Sequence, residues 1–119
     1  MTSGNLSDEP IVYRDEDVVA FRDAHPKAPV HILLIPVHHV AGLSDTTAEQ
    51  APVLGKLLAA AAHVAREQGI ERGFRVVINN GREAGQSVFH LHVHLLGGRR
   101  LGWPKRFAQK ACASRHMRC

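Results

Sequence analysis

The chain has 119 residues, 45% of them hydrophobic. That supports one small domain with one core and excludes a disordered or fibrous chain. Fifteen Lys and Arg against eleven Asp and Glu give a net charge of +4. The charge is uneven: residues 99–119 hold seven basic residues and no acid, whereas 1–98 hold eight basic and eleven acidic, a net of −3. A basic tail on a mildly acidic body argues against nucleic acid as a partner.

Residues 1–10 are polar and acidic and read as a flexible N-terminal arm with no secretory signal. Ile11-Val12-Tyr13 and Val18-Val19-Ala20-Phe21 flank an acidic turn and predict a β-hairpin. Asp23 to Pro29 holds two prolines and reads as a loop. His31 to Ile35 is a third strand, closed by Pro36, and its nearly continuous apolar character predicts cover on both faces. Thr46 and Glu49 have capping-box spacing, and Pro52 belongs in a first helical turn. The pattern therefore predicts a lead-in turn over 46–51 and a helix over 52–68. Leu54, Leu57, Leu58, Ala61, Val64 and Ala65 form its apolar stripe, and Gly69 its C′ residue. Phe74 to Ile78 is a fourth strand, 79–86 a glycine-containing loop and Val88 to Leu96 a fifth strand. Five strands and one substantial helix make an α+β domain with antiparallel pairing. No stretch approaches the roughly 20 apolar residues of a membrane span. The only cysteines, Cys112 and Cys119, form neither a disulfide framework nor a close metal pair, which fits a reducing compartment.

Nine histidines are unusual in 119 residues. In His90-Leu91-His92-Val93-His94-Leu95-Leu96, strand alternation places His90, His92 and His94 on one face, about 6.5–7 Å apart in succession. Leu91, Val93 and Leu95 face the core. Two chemistries suit such a row. Imidazole is a common metal ligand, although three in line fit one ion poorly and no carboxylate follows His94. Alternatively, one imidazole attacks as a nucleophile while its neighbours hold its tautomer or bind an anion. The preceding segment, Asn79-Asn80-Gly81-Arg82-Glu83-Ala84-Gly85-Gln86-Ser87, can offer backbone N–H groups and a hydroxyl to a phosphate.

The histidine row resembles the signature of the histidine triad proteins. Phe21-Arg22-Asp23, Ala28-Pro29-Val30-His31, Ile35-Pro36, His39, Gly85-Gln86-Ser87-Val88-Phe89, Leu96-Gly97-Gly98-Arg99 and Trp103-Pro104 follow in the order of that family's nucleotide-binding branch. The resemblance covers residues 11–104 as one histidine triad (HIT) domain and leaves 105–119 as a basic C-terminal extension. It implies a five-stranded antiparallel sheet with one long helix, joined in a homodimer into a ten-stranded sheet. It also implies a purine nucleoside phosphoramidase that cleaves the P–N bond of adenosine 5′-monophosphoramidates, and related aminoacyl adenylates, through a nucleotidylated histidine, releasing AMP. The alternatives are a non-catalytic regulatory protein that binds purine nucleotides and a dinucleoside polyphosphate hydrolase. No metal and no cofactor is implied, nor any membrane. A cytoplasmic location is expected, with the nucleus as a second.

By position, His92 matches the nucleophile, and the backbone carbonyl of His90 would fix its tautomer. His94 and His31 match the phosphate-side and leaving-group histidines. Asp23 matches the carboxylate that takes the ribose hydroxyls. Asn79, Gln86 and Ser87 match contacts to the phosphate and leaving group, with Gly85 in the same loop. Phe21 and Ala24 would line the base pocket. Two departures stand out. Many relatives open with Cys-x-x-Cys, which holds a structural zinc together with later histidines, and no cysteine precedes Cys112 here. The branch also usually stops soon after Trp-Pro, where this chain continues into Lys105 and Arg106.

Overall fold

The computed structural model describes residues 10–103. The first nine residues of the expected arm and the extension 105–119 lie outside the described residues. Five strands form one sheet: β1 (Ile11–Arg14), β2 (Val18–Arg22), β3 (Val30–Pro36), β4 (Phe74–Val77) and β5 (Val93–Gly97). The order across the sheet is β1-β2-β3-β5-β4, and every pair is antiparallel. One long helix, α1 (Ala51–Glu67), completes the α+β fold expected from the sequence.

The expected β1–β2 hairpin is present. Asp15 makes its turn by accepting the N–H groups of Asp17 and Val18 on Oδ1, at 2.7 and 2.8 Å, an arrangement that suits a short acidic side chain. Strand alternation then divides the sheet into two faces. Val18, Ala20, Ile32, Leu34, Val93 and Leu95 are buried in a core with Leu57, Ala60, Ala61, Val64 and Ala65 of α1. The opposite face carries Phe21, His31, Leu33 and His94, so β3 is covered on both sides as its apolar run predicted.

The start of the helix differs from expectation by one residue. The capping pair is Thr47 with Gln50, not Thr46 with Glu49. Gln50 Oε1 accepts the Thr47 N–H at 2.6 Å, and Thr47 Oγ1 accepts the Glu49 N–H at 3.2 Å. Thr46 instead donates its hydroxyl to the Leu43 carbonyl. A 3₁₀ turn over Ala48–Gln50 leads into α1, with Pro52 in its first turn. Gly69 ends the helix at φ +75°, where a side chain would be strained, and Ile70 N–H closes back to the Ala65 carbonyl at 2.9 Å. Leu58, expected in the buried stripe, is 51% exposed.

The largest correction is β5, which begins at Val93 rather than Val88. Its ladder with β3 ends at the pair Leu34–Val93. Continuing it would bring Leu91 opposite Pro36, which has no N–H to give. The Leu91 N–H goes instead to the Val40 carbonyl, 2.6 Å away. Residues 88–92 therefore run beside the sheet without joining it, although Leu91 still enters the core.

Candidate active site

A cleft of about 640 Å³ opens on the sheet face away from α1. β5 and the segment before it bring His94 and His92 to its floor, and β3 brings His31. The loop after β2 brings Asp23 and Ala24, with Phe21 at the end of that strand. Asn79, Gly85 and Ser87 arrive from the loop after β4. Nine of the residues singled out in the sequence thus meet around one cleft.

His92 is held by its neighbour's backbone. Its Nδ1 lies 2.8 Å from the carbonyl oxygen of His90. A carbonyl only accepts, so Nδ1 carries the ring proton and Nε2 keeps a free lone pair. His94 packs edge-on against the His92 ring, with centroids 5.0 Å apart. Burial, and then the nearby His92 and His31, push the His94 pKa down to about 4. Its Nδ1 is 2.9 Å from His31 Nε2. Its other nitrogen, Nε2, is the one buried side-chain nitrogen or oxygen among the described residues without a hydrogen-bond partner. His31 is 4% exposed, and burial lowers its pKa, with Lys27 adding to the effect and Asp23 opposing it. Asp23 Oδ1 accepts the His25 N–H at 2.8 Å, and Oδ2 lies 3.4 Å from His31 Nε2.

Two of the expected site residues turn away from the cleft. The Gln86 side chain is 4% exposed and braces its own loop. Its Oε1 accepts the Gly81 N–H at 2.7 Å, and its Nε2 donates to the carbonyls of Ala41 and Val88. This bracing holds the loop through two glycines at positive φ, Gly81 and Gly85. The His90 ring is also absent from the cleft lining, a correction to the expected row of three. Position 90 precedes the ladder, so the pleat does not set its direction. The ring meets the Pro36 carbonyl through Nε2 at 3.1 Å and His39 through Nδ1 at 3.3 Å. Its pKa is lowered, chiefly by burial.

Asp23, His31 and His94 place three potential ligand atoms within 4.8 Å of one another. The hydrogen bonds do not suit a metal there. The Lys27 N–H donates to His31 Nδ1 at 3.0 Å, so the His31 proton sits on Nε2, the atom that would have to bind the ion.

His25 and Lys27 also line the cleft and were not singled out in the sequence. They sit in a proline-flanked loop whose composition signals only a turn. His63, on the surface of α1, pairs with Glu67 at 3.3 Å, as a helix-surface residue would.

The sheet order and a cleft lined by His31, His92 and His94 beside a glycine-containing loop are the arrangement expected of a histidine triad domain. The HIT domain family model matches residues 5–101, and the chain belongs to the HIT family. It is 48% identical over 93 residues to the purine nucleoside phosphoramidase of Escherichia coli, covering 77% of this chain and 78% of that one. It is 49% identical over 96 residues to adenylylsulfatase HINT1 of Arabidopsis thaliana, covering 79% and 65%. Among solved structures, a HIT family hydrolase from Legionella pneumophila superposes with a TM-score of 0.79 at 37% identity, over 86% of this chain and 94% of that one.

Proposed function

We propose that the protein hydrolyses the P–N bond of purine nucleoside 5′-monophosphoramidates, and the acyl phosphate bond of related aminoacyl adenylates, through a nucleotidyl intermediate on His92. The observation that carries this reading is the 2.8 Å contact of His92 Nδ1 with the His90 carbonyl, which leaves Nε2 free to attack. Two relatives named for nucleotide-processing enzymes support it.

In this reading Phe21, Ala24 and Leu33 wall the base, and Asp23 accepts the ribose hydroxyls. His92 Nε2 attacks phosphorus, the P–N bond breaks, and the amine leaves with a proton taken from solvent in the open cleft. Charge gathers on the equatorial oxygens, where His94 Nε2–H and the Ser87 hydroxyl can meet it. Water then cleaves the P–Nε2 bond, and the nucleoside monophosphate departs. His90 acts through its carbonyl and Gln86 through the loop it braces.

The expected homodimer is part of the same proposal. Joining two copies along β4, an edge strand, gives the ten-stranded sheet. Phe74 on β4 is 37% exposed, and the exposed Leu58 on α1 adds apolar surface for a partner copy.

The test is rapid quench of the protein with an adenosine phosphoramidate, followed by intact-mass measurement. The wild type should carry an AMP adduct, and His92→Ala should carry none while keeping its fold and its affinity for AMP. Wild-type kcat in His92→Ala would overturn the mechanism. AMP binding without adduct or turnover in the wild type would favour the regulatory-protein alternative.

A further inference from the structure

The hydrogen bonds behind His94 have a fixed direction. It starts at a backbone group: the Lys27 N–H donates to His31 Nδ1 at 3.0 Å. That nitrogen is therefore a bare acceptor, and the single proton of neutral His31 sits on Nε2. His31 Nε2 therefore donates to His94 Nδ1 at 2.9 Å, while Asp23 Oδ2 lies 3.4 Å from the same nitrogen without sharing its hydrogen bond. With Nδ1 accepting, neutral His94 carries its own proton on Nε2. That is the buried nitrogen left without a partner, in a side chain that lines the cleft. His94 remains neutral at pH 7, since its pKa is held at about 4.

We propose that His31 is a positioning residue: it locks His94 in the Nε2–H tautomer as a donor to the phosphoryl group. The role differs from the leaving-group acid that the family resemblance implied. His31 is almost wholly buried, and its one ring proton is committed to His94, so none is available to a departing amine. The His31 proton on His94 Nδ1 polarises the His94 ring and strengthens donation from Nε2. This inference rests on the phosphoramidase reading for its phosphate, but the relay itself is a property of the unliganded protein.

Two substitutions separate positioning from packing. His31→Gln keeps the order of acceptor and donor, since its amide oxygen can take the Lys27 N–H and its NH₂ can donate to His94. His31→Leu fills the space and does neither. Histidine ¹⁵N–¹H correlation spectra at pH 7 read the His94 tautomer without substrate. We expect Nε2–H in the wild type and in His31→Gln, and a mixture in His31→Leu. In kinetics, His31→Leu should lose on the order of 10- to 100-fold in kcat with little change in KM, as expected for a misoriented oxyanion donor. His31→Gln should recover at least several-fold of that loss. The kcat loss should be equal for an adenosine phosphoramidate and for adenosine 5′-(4-nitrophenyl phosphate), whose leaving group needs no proton.

An Nδ1–H tautomer of His94 in the wild type would overturn the relay. So would an unchanged His94 tautomer in folded His31→Leu, or a kcat loss confined to the amine leaving group. If His31→Leu does not fold, loss of the Nε2–H tautomer in His31→Gln also refutes it. A protein with the expected tautomers and no phosphoramidase activity would leave the relay standing and remove the functional reading.

Discussion

Lowering the pH from 7 to 4 should destabilise this fold by about 3 kcal/mol through His94 alone. The group titrates near its ordinary value, about 6.5, in the unfolded chain and at about 4 in the folded one. Between those values the unfolded state binds more protons, so stability rises with pH there. The contribution is fully present above about pH 6.5 and is lost progressively as pH falls through the folded value. A separation of roughly 2.5 units at about 1.4 kcal/mol each sets the size. His31 and His90, both lowered mainly by burial, act in the same direction and make the total loss larger. The assay is urea unfolding at intervals between pH 4 and 7.5, on the wild type and on His94→Gln. The wild type should lose stability steeply below pH 6.5, and the variant should show a shallower slope by about 3 kcal/mol across the range. Equal slopes for the two proteins would show that His94 does not titrate as its surroundings dictate.

Asp23→Ala should weaken ribonucleotide binding by about 10- to 100-fold, the size of a lost charge-assisted hydrogen bond, and 2′,3′-dideoxynucleotides much less. Calorimetry with both sugars checks this, and equal losses would take Asp23 out of the ribose site. Phosphoramidase activity should survive exhaustive chelation; loss restored by added zinc would return the histidines to a metal role. Leu58→Glu should shift the protein from dimer to monomer in sedimentation velocity at micromolar concentration, while a dimer of unchanged affinity would place the interface elsewhere.

Much of the fold was legible because its signals are local. The period-2 strands, the acidic turn at Asp15 and the stop at Gly69 each depend on a few neighbouring residues. The misreadings have tertiary causes. Val88 to Leu96 has the alternation of a long strand, but a strand needs a partner with hydrogen bonds to give, and Pro36 ends that supply. Leu58 fits the helical stripe, yet its burial depends on what lies against that face. The site was legible as a set of residue types and not as a set of orientations. His90 and Gln86 carry the expected chemistry, but Pro36 and His39 hold one ring, and Gly81, Ala41 and Val88 hold the other side chain.

The same limit explains why alike histidines take different states. Backbone groups assign them. The His90 carbonyl puts the His92 proton on Nδ1, the Pro36 carbonyl puts the His90 proton on Nε2, and the Lys27 N–H keeps His31 Nδ1 bare. A backbone group has no letter in the sequence, so position 27 shows only a charged residue in a loop. This yields a counterintuitive expectation for Lys27→Ala. The substitution removes a cation that lines the cleft but keeps the N–H that orders His31, so the His94 tautomer should remain Nε2–H. Removing the charge should also let the pKa values of His31 and His94 rise, since Lys27 lowers both. Histidine ¹⁵N shifts followed from pH 4 to 8 read tautomer and titration in one series. A His94 tautomer that changes in Lys27→Ala would mean that the side chain, rather than the backbone of this loop, sets the direction of the relay.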